Sequence, residues 1–214
     1  MPTLVDLFSP TTVLDLGCAE GAWLEVFQAA GSSVTGVDGD YVDRRRLLLP
    51  EASFVSHDLS LPLDLGRRFD LALCLETAEH LPPDAADVIV GTLTRHSDLI
   101  IFSAAIPGQG GTSHLNEQWP SYWVARFADA GYEVFDVLRG RLWWQQDIAH
   151  HFRQNMLVFA RGERARQVAE LPKASMLMDV VHPDQFALVG IRLALRKLRE
   201  SVVFHLNRLR RAHS

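Results

Sequence analysis

The residues with the clearest chemical character follow a short apolar run near the start of the chain, in VLDLGCAEG at residues 13–21. Gly17 and Gly21 stand four apart in this segment, and glycine allows the backbone to approach a ligand closely. Asp38 ends the next apolar run, SVTGVD. In nucleotide-binding sheets an acid at the end of the second strand grips the ribose hydroxyls, so the pattern predicts a nucleoside site.

The loop differs from those that bind a pyrophosphate. Ala19 and Glu20 break the dinucleotide fingerprint G-x-G-x-x-G, and the sequence contains no G-K-[ST] phosphate loop. Asp15 and Glu20 add negative charge, which repels phosphate and favours a cation. The loop therefore predicts a positively charged nucleoside ligand that lacks a pyrophosphate.

Apolar runs alternate with helix-like segments along most of the chain. Strands are predicted at 12–17, 33–38, 53–58, 69–76, 98–105, 132–139 and 155–161. Helices are predicted at 22–31, 83–96 and 118–132, and no helix is required in the last connection, 140–154. This alternation predicts an α/β fold with a doubly wound, seven-stranded sheet that is mostly parallel and has an antiparallel last strand.

DLGCAEG followed by VTGVD resembles the first two motifs of class I S-adenosylmethionine-dependent methyltransferases. HDL at 57–59 and FDLALCLETAEHL at 69–81 extend the resemblance to the small-molecule branch. The segments 108–123 and 143–155 together resemble an H-x-N-E-x-W-P-S-Y-W … R-Q-N pattern of methyltransferases of glycans and natural products. The resemblance implies a Rossmann-like fold with S-adenosylmethionine as cofactor. The cofactor-binding residues that it implies are Asp15, Gly17, Cys18, Ala19, Gly21, Asp38, Gly39, His57, Asp58, Leu59 and Glu76.

The same resemblance assigns a part of the cofactor to each group of residues. The loop 17–21 would hold the methionine portion, Asp38 the ribose and residues 57–59 the adenine, while Glu76 would form the pocket floor. Simpler interpretations stay open at this point. Asp38 can be a turn residue, and Asp58 can cap a helix.

Three histidines are candidates for a general base that removes a hydroxyl proton, because the imidazole pKa lies near neutrality. His114 is favoured, and it lies in the glycine-rich segment 108–123, which is predicted to form a mobile lid. The alternatives are His80, in the fourth-strand motif, and His150, in the segment 143–155. Each histidine can instead serve only to hydrogen-bond its surroundings.

The same two segments supply the residues predicted to contact the acceptor, which are Glu117, Trp119, Tyr122 and Arg153. Arg153 can bind an acidic acceptor group, or it can pair with Glu117 or Asp147 and hold the segments together. The aromatic rings can stack on an acceptor, or they can pack a helix against the sheet.

A divalent cation such as Mg²⁺ is a further candidate cofactor, because a bound cation lowers the pKa of a coordinated hydroxyl. Glu76, His114, Asp147 and His150 are the residues predicted to converge on it at the edge of the sheet. No local ligand spacing in the sequence identifies such a site.

The net charge of −5 is unevenly distributed. Residues 184–214 contain seven Lys or Arg and two acids, which leaves −10 on residues 1–183. An acidic body argues against a nucleic-acid partner. The two cysteines and a start, MPTLVDLFSP, without a basic and then apolar leader predict a cytoplasmic protein.

Three parts of the chain are predicted: a methyltransferase domain at 1–161, a linker at 162–183 and an amphipathic basic helix at 184–214. In the last part, apolar residues recur at steps of three and four. This helix is predicted to pack on the body or on a second copy, which would form a homodimer. Peripheral contact with an anionic membrane is the alternative.

The function predicted is methyl transfer from S-adenosylmethionine to a small-molecule acceptor, with a hydroxyl of a sugar or glycan-like metabolite favoured. N- or carboxyl-methylation of a small metabolite and non-catalytic cofactor binding are the alternatives. The N-P-P-Y-type tetrapeptide of amino-group modifiers of nucleic acids is missing after the fourth strand, where ETAEHLPP stands.

Overall fold

A computed structural model describes residues 2–172, 178–187 and 190–191. The chain divides into two compact units, Met1–Val180 and Val181–Ser214. The strands of the first unit are β1 (Thr12–Leu16), β2 (Ser33–Asp38), β3 (Phe54–Ser56), β4 (Leu71–Leu75), β5 (Leu99–Ser103), β6 (Glu133–Phe135) and β7 (Leu157–Ala160). Its α-helices are α1 (Pro2–Phe8), α2 (Ala22–Ala29), α3 (Ala86–His96), α4 (Pro120–Asp129), α5 (Arg139–Leu142), α6 (His150–Asn155) and α7 (Gly162–Ala169).

The strands form one seven-stranded sheet in the order β3-β2-β1-β4-β5-β7-β6. The pairs from β3 to β5 are parallel, whereas β7 runs antiparallel to both β5 and β6. This arrangement confirms the predicted Rossmann-like, doubly wound sheet with an antiparallel last strand. All seven strands lie within the segments predicted for them.

Helices cover both faces of the sheet. Successive residues of a strand point to opposite faces and therefore pack into different cores. On β1, Val13 packs with the core that contains Leu24 and Phe27 of α2. The next residue, Leu14, packs with the core of the other face, which contains Ile89 of α3. The same two cores include residues of α5 and α7 on the first face and of α4 on the second.

Four helices lie where the sequence predicted none. The connection 140–154 contains the end of α5 and most of α6, and residues 2–8 form α1. The segment 162–183, predicted as a linker, begins with α7, which buries Ala165 and Val168 against the core. These helices are short, so they show too few turns for a clear apolar period in the sequence.

The predicted C-terminal helix, 184–214, lies mostly outside the described residues. In the second unit, residues 183–187 and 190–191 are helical. Among the residues that the structure describes, no helix combines the length and the apolar character needed to cross a bilayer.

A buried ion pair stabilises the turn between β6 and α5, and it leads to a first prediction. Arg139 Nη2 donates to Asp136 Oδ2 at 2.8 Å, and the two side chains are only 4% and 3% exposed. We expect Asp136→Ala to lower the free energy of unfolding by about 3–5 kcal/mol, because it leaves a guanidinium buried without its carboxylate. Urea denaturation of the purified chain measures the loss.

Glu163→Ala is the matched control. Glu163 also pairs with an arginine three residues later, Arg166, but these side chains are 65% and 74% exposed. Its loss should therefore stay below about 1 kcal/mol. Equal losses in the two variants would show that burial does not set the strength of the Asp136 pair.

Candidate active site

A cavity of about 850 Å³ opens at the carboxyl ends of β1 to β4. Its walls come from the loops that follow these four strands. The lining residues are Gly17, Ala19, Asp38, Gly39, Asp40, Tyr41, Ser56, His57, Asp58, Leu59, Glu76, Thr77, His80 and Leu81. Eight of the eleven residues predicted to bind the cofactor are among them. Asp15, Cys18 and Gly21 lie outside this lining.

The glycine loop needs its glycines for steric reasons. Gly17 has φ +84°, and a Cβ atom there would collide with the side chain of Thr77. Gly21, with φ +91°, is the N-cap residue of α2, and a Cβ atom there would collide with Leu49. Ala19 also has a positive φ, 48°, which is uncommon for a residue with a side chain. The loop is thus held in a tight conformation beside the cavity.

Hydrogen bonds within the protein maintain this loop. The N–H groups of Gly17 and Cys18 donate to the carbonyl of Val37, at 2.8 and 3.3 Å. The N–H of Ala19 donates to Asp38 Oδ2 at 2.7 Å. These three N–H groups hold the loop in shape, so they do not serve as donors to a ligand.

Asp38 is buried at the end of β2 and is more than a turn residue. Its Oδ1 accepts from the N–H of Gly39 at 2.7 Å and from the hydroxyl of Tyr41. Tyr41 is 80% exposed, and its ring lies where a Cβ on Gly39 would stand. The carboxylate therefore links the loops after β1 and β2 at the cavity wall.

Asp15 lies in the middle of the sheet and is 1% exposed. Its Oδ2 has no hydrogen-bond partner among the residues that the structure describes. Burial, and secondarily the charge of Asp38, raises the pKa of Asp15 to about 7. The neighbouring thiol of Cys18 is also buried, and burial raises its pKa. The acidic groups around Asp15 therefore favour a positive charge nearby.

Glu76 follows β4, has φ 52° and lines the cavity. Gln109 Nε2 donates to its Oε2 at 2.7 Å, and Asn155 Nδ2 donates to its Oε1 at 3.1 Å. Asn155 also donates to Gln109 Oε1 at 2.9 Å. Glu76 therefore ties the loop after β5 and the end of α6 to the site.

The HDL segment lies on the same wall. His57 Nε2 is 3.1 Å from the carbonyl of Leu61. Asp58 Oδ1 accepts from the N–H and the hydroxyl of Ser60, at 2.9 and 2.7 Å. These bonds form a turn rather than a helix cap, and hydrogen bonding by Ser60 lowers the pKa of Asp58.

Two backbone hydrogen bonds hold the segment that contains His114 against the turn that follows β4. The carbonyl of Glu79 accepts from the N–H of Leu115 at 2.7 Å and from that of Asn116 at 3.0 Å. His80, which lines the cavity, meets His114 with ring centroids 4.9 Å apart in an edge-to-face arrangement. The structure thus joins two of the three predicted bases.

Glu117 orients His114. Its Oε1 lies 2.9 Å from His114 Nδ1 and accepts from the N–H of Gly110, and its Oε2 accepts from the N–H of Gly108. Burial acts to raise the pKa of Glu117, but the hydrogen bonds from His114 and the two amides hold it below its ordinary value. A carboxylate that accepts from Nδ1 leaves Nε2 of the imidazole to act as a base or a ligand.

Glu79 is a functional candidate that the sequence analysis missed. It is 1% exposed, and its Oε2 has no hydrogen-bond partner among the described residues. Burial, with a further contribution from the charge of Glu76, raises the pKa of Glu79 to about 8. The signal in the sequence was its place beside His80, at the turn that follows β4.

The cation ligands predicted from the sequence do not form one cluster. Within the described residues, the group of three that could hold a metal is Glu79, His80 and His114, whose ligand atoms all lie within 4.8 Å of one another. Glu76 is engaged by amide side chains, whereas Asp147 lines a separate cavity with apolar walls. The predicted group of Glu76, His114, Asp147 and His150 does not form among the described residues, where His114 lies with Glu79 and His80 instead.

His114, His150 and the four predicted acceptor-binding residues are not among the residues that line the main cavity. His150 is on α6, with its ring 5.4 Å from that of His151. Trp119 precedes α4, and the ring of Tyr122 stacks with the guanidinium of Arg126. Arg153 is buried, and its Nη1 donates to the carbonyl of Trp143 at 3.2 Å.

Tyr41, Thr77 and Leu81 also line the cavity and were not singled out from the sequence. Thr77 packs against Gly17, and Tyr41 donates to Asp38. Each lies within three residues of a predicted residue, Asp38 or His80, so their positions followed from the motifs although their contacts did not.

A family model described as a methyltransferase domain matches residues 2–146. The chain belongs to this methyltransferase family. The match includes the glycine loop, Asp38, the turn after β4 and the segment with His114. It confirms the class I S-adenosylmethionine-dependent methyltransferase that the motifs predicted.

Two curated relatives of this methyltransferase are named ubiquinone biosynthesis O-methyltransferase. That of Nitrobacter winogradskyi is 30% identical over 158 residues, which cover 68% of this chain and 56% of the relative. That of Nitrosomonas europaea is 32% identical over 97 residues, which cover 38% of this chain and 37% of the relative. The methyltransferase thus spans little more than half of one relative's length and less of the other's.

A solved structure shows the same fold. It is a TehB-like SAM-dependent methyltransferase from Corynebacterium glutamicum, with a TM-score of 0.52 and 20% identity. The likeness covers 75% of this methyltransferase and 86% of that chain.

The residues present fit S-adenosylmethionine. The cavity volume is large enough for a nucleoside with an amino-acid side arm. Asp38 is placed to meet ribose hydroxyls if Tyr41 gives way, and the buried, unsatisfied Asp15 suits a cationic ligand. When bound, the cofactor supplies an activated methyl group on a positively charged sulfur.

The buried carboxyl of Asp15 leads to a second prediction. Its raised pKa means that the folded methyltransferase binds more protons than the unfolded chain between about pH 4 and pH 7. Unfolding free energy should therefore fall as pH rises through this window, and Asp15→Asn should remove about 1.4 kcal/mol per pH unit from that slope. Urea denaturation of the cofactor-free protein at several pH values measures it.

The exposed Asp129 provides the control, because Asp129→Asn removes the same charge from the surface. This variant should keep the pH dependence of the unsubstituted protein. A slope that is the same in Asp15→Asn and in the unsubstituted protein would show that Asp15 does not carry the raised pKa.

Proposed function

We propose that this methyltransferase transfers the methyl group of S-adenosylmethionine to a hydroxyl of a small molecule. The observation that carries the proposal is the group of Glu79, His80 and His114 at the edge of the cofactor cavity, which we call the Glu79 cluster. A hydroxyl is a weak nucleophile until it loses its proton, whereas an amine or a carboxylate does not need this help. Groups that assist proton loss therefore favour O-methylation.

The two named relatives support the same chemistry. Both carry O-methyltransferase in their names, and their identity to this chain is 30% and 32%. The sugar or glycan-like acceptor predicted from the sequence stays a prediction. A screen of sugar, phenol and lipid-linked hydroxyl acceptors with radiolabelled S-adenosylmethionine identifies the class.

Each part of the site has a defined task in this proposal. The loop at Gly17 and the carboxylate of Asp38 hold the cofactor. The network of Glu76, Gln109 and Asn155 fixes the turn after β4 and thereby the Glu79 cluster. Transfer then depends mainly on alignment of the acceptor oxygen with the methyl carbon.

The remaining proposals concern partners and compartment. A small-molecule acceptor without a nucleic-acid partner agrees with the acidic charge of residues 1–183. The reducing cytoplasm agrees with two free, buried cysteines, Cys18 and Cys74. Contact of the C-terminal segment with a second copy or with a membrane surface rests on its sequence alone, since it lies mostly outside the described residues.

A third prediction concerns the cofactor. We expect Asp38→Asn to weaken binding of S-adenosylhomocysteine by about 10- to 100-fold, because hydrogen bonds to a charged group contribute about 1.5–3 kcal/mol. Isothermal titration calorimetry measures the affinity. Asp40→Asn removes an exposed carboxylate from the same cavity and should change affinity little. Similar losses in both variants would indicate a general charge effect and contradict the role of Asp38.

A fourth prediction concerns the acceptor. We expect His114→Ala to lower kcat by about 100-fold or more, because the variant lacks the base that removes the hydroxyl proton. The affinity for S-adenosylhomocysteine should be retained. Single-turnover transfer to the best acceptor of the screen measures it. Leu115→Ala changes an exposed neighbour in the same loop and should leave kcat near its original value. Undiminished turnover in His114→Ala would exclude His114 as the general base.

A further inference from the structure

We propose that Tyr41 controls entry of the cofactor, because its hydroxyl occupies on Asp38 a position that a ribose hydroxyl must take. The two arrangements exclude each other, so the phenol and the ribose compete for one carboxylate. This inference rests on the proposed role of Asp38 in holding the ribose. It does not depend on which acceptor atom is methylated.

Three donors already share the carboxylate of Asp38. Its Oδ2 accepts from the N–H of Ala19 and its Oδ1 from the N–H of Gly39, both at 2.7 Å. The hydroxyl of Tyr41 is the third donor, and it also bonds to Oδ1. An ionised carboxylate has about four lone-pair positions, so about one is left. A ribose that offers two hydroxyls must therefore replace one of the donors present.

Tyr41 is the donor that can leave. The N–H groups of Ala19 and Gly39 belong to the backbone, and further bonds to the carbonyl of Val37 hold the loop that contains Ala19. The side chain of Tyr41 lines the cavity and is 80% exposed. Rotation of its ring into solvent exposes little more apolar surface, so it costs little beyond the hydrogen bond itself.

The segment that carries Tyr41 is held more firmly at its far end than at the turn itself. The N–H of Leu48 donates to the carbonyl of Glu20 at 2.8 Å, which fixes the segment to the glycine loop. Between Gly39 and Val42 the described structure has one backbone hydrogen bond, whose 3.4 Å exceeds the usual range. The hydroxyl of Tyr41 is thus the main tie between this turn and the cavity wall.

The phenol of Tyr41 is a neutral donor, as a ribose hydroxyl is. Burial of the hydroxyl, and then its hydrogen bond to Asp38, raises the pKa of Tyr41 to about 12. The phenol therefore keeps its proton at neutral pH. The exchange replaces one hydroxyl by another and leaves the charge of Asp38 unchanged, so it amounts to a direct competition between two similar donors.

This competition lowers the apparent affinity of the cofactor. A ligand that binds only the open arrangement loses affinity in proportion to the fraction of molecules that adopt it. A hydrogen bond of ordinary strength corresponds to a ratio of occupied to open molecules of about 3 to 10. Tyr41 should therefore weaken cofactor binding by a similar factor, and the effect should fall on association.

The inference is tested by surface plasmon resonance, with S-adenosylhomocysteine binding to the immobilised full chain. We expect Tyr41→Phe to raise both the association rate constant and the affinity about 3- to 10-fold, because the ring remains and the competing hydroxyl is lost. The dissociation rate constant should stay unchanged. An affinity that is unchanged or lower, or a gain that falls on dissociation, would overturn the competition.

A pair of probes shows whether the ribose hydroxyls are what Tyr41 opposes. Adenosine should bind Tyr41→Phe more tightly than the unsubstituted chain, by the same factor as S-adenosylhomocysteine. The analogue 2′,3′-dideoxyadenosine brings no ribose hydroxyl to Asp38 and should bind both chains equally. Equal tightening of both probes would show that the ring blocks space, and it would contradict a competition for the carboxylate. Isothermal titration calorimetry measures both affinities.

Fluorine NMR gives a signature that a purely structural role would not produce. The chain has three tyrosines, so incorporation of 3-fluorotyrosine gives three resonances, and the one missing in Tyr41→Phe belongs to Tyr41. That resonance should shift when S-adenosylhomocysteine is added, because the hydroxyl leaves its carboxylate partner. A resonance of Tyr41 that stays in place at saturating ligand would overturn the inference.

Leu48→Ala is the matched control for the mobility of the segment. Leu48 is 44% exposed, does not line the cavity and makes its bond to Glu20 through the backbone, so this variant should keep both rate constants. Tyr41→Phe should retain the thermal unfolding midpoint, because the substituted ring is largely exposed. Association that is faster by the same factor in Leu48→Ala would show that the hydroxyl of Tyr41 is not what limits entry.

Comparison with Asp38→Asn distinguishes failure of this inference from failure of the proposed function. Weaker binding of S-adenosylhomocysteine in Asp38→Asn, without tighter binding in Tyr41→Phe, would refute the competition and leave the role of Asp38 standing. Full affinity in Asp38→Asn would refute both. In either case, O-methylation is decided separately by the acceptor screen.

Discussion

β1 and β4 are neighbours in the sheet, but the chain leaves them in opposite directions. After β1 it proceeds to β2 and β3 on one side, and after β4 it proceeds to β5 on the other. The loops that follow β1 and β4 therefore turn apart and leave a crevice at the carboxyl edge of the sheet. The cofactor cavity occupies this crevice, and the contact of Gly17 with Thr77 is where its two sides meet. The Glu79 cluster depends on the same reversal, because Glu79 and His80 lie on the turn that leads away from β4.

Carboxyl groups are unusually concentrated around this crevice. Asp15, Asp38 and Glu79 are all buried there, and burial raises the pKa of Asp15 and Glu79. Burying several acids costs stability unless each gains a partner or a proton. Asp38 gains its partners from the loops that it joins. Asp15 and Glu79 keep an unsatisfied oxygen each within the described residues.

The sequence predicted what depends on local pattern. Continuous apolar strands, glycines after β1 and acids at strand ends are local features, and they located seven strands and most of the cavity lining. The sequence did not predict the contacts between distant loops. The bonds from Leu115 and Asn116 to the carbonyl of Glu79 use backbone atoms, which carry no residue-specific signal. Asp147 was grouped with His114 because both follow late strands, yet Asp147 lines a different cavity. The short helices α5, α6 and α7 lacked the turns needed to show a period.

The two edges of the sheet are formed by β3 and β6. Each is only three residues long, Phe54–Ser56 and Glu133–Phe135. A strand at the margin of a sheet presents unpaired N–H and C=O groups that can recruit another chain, and a short one presents few of them. Two copies of this protein would therefore gain little by extending the sheet from one molecule into the next. Self-association, where it occurs, is left to helical surfaces, and the margins of the sheet protect the folded chain against strand-mediated aggregation.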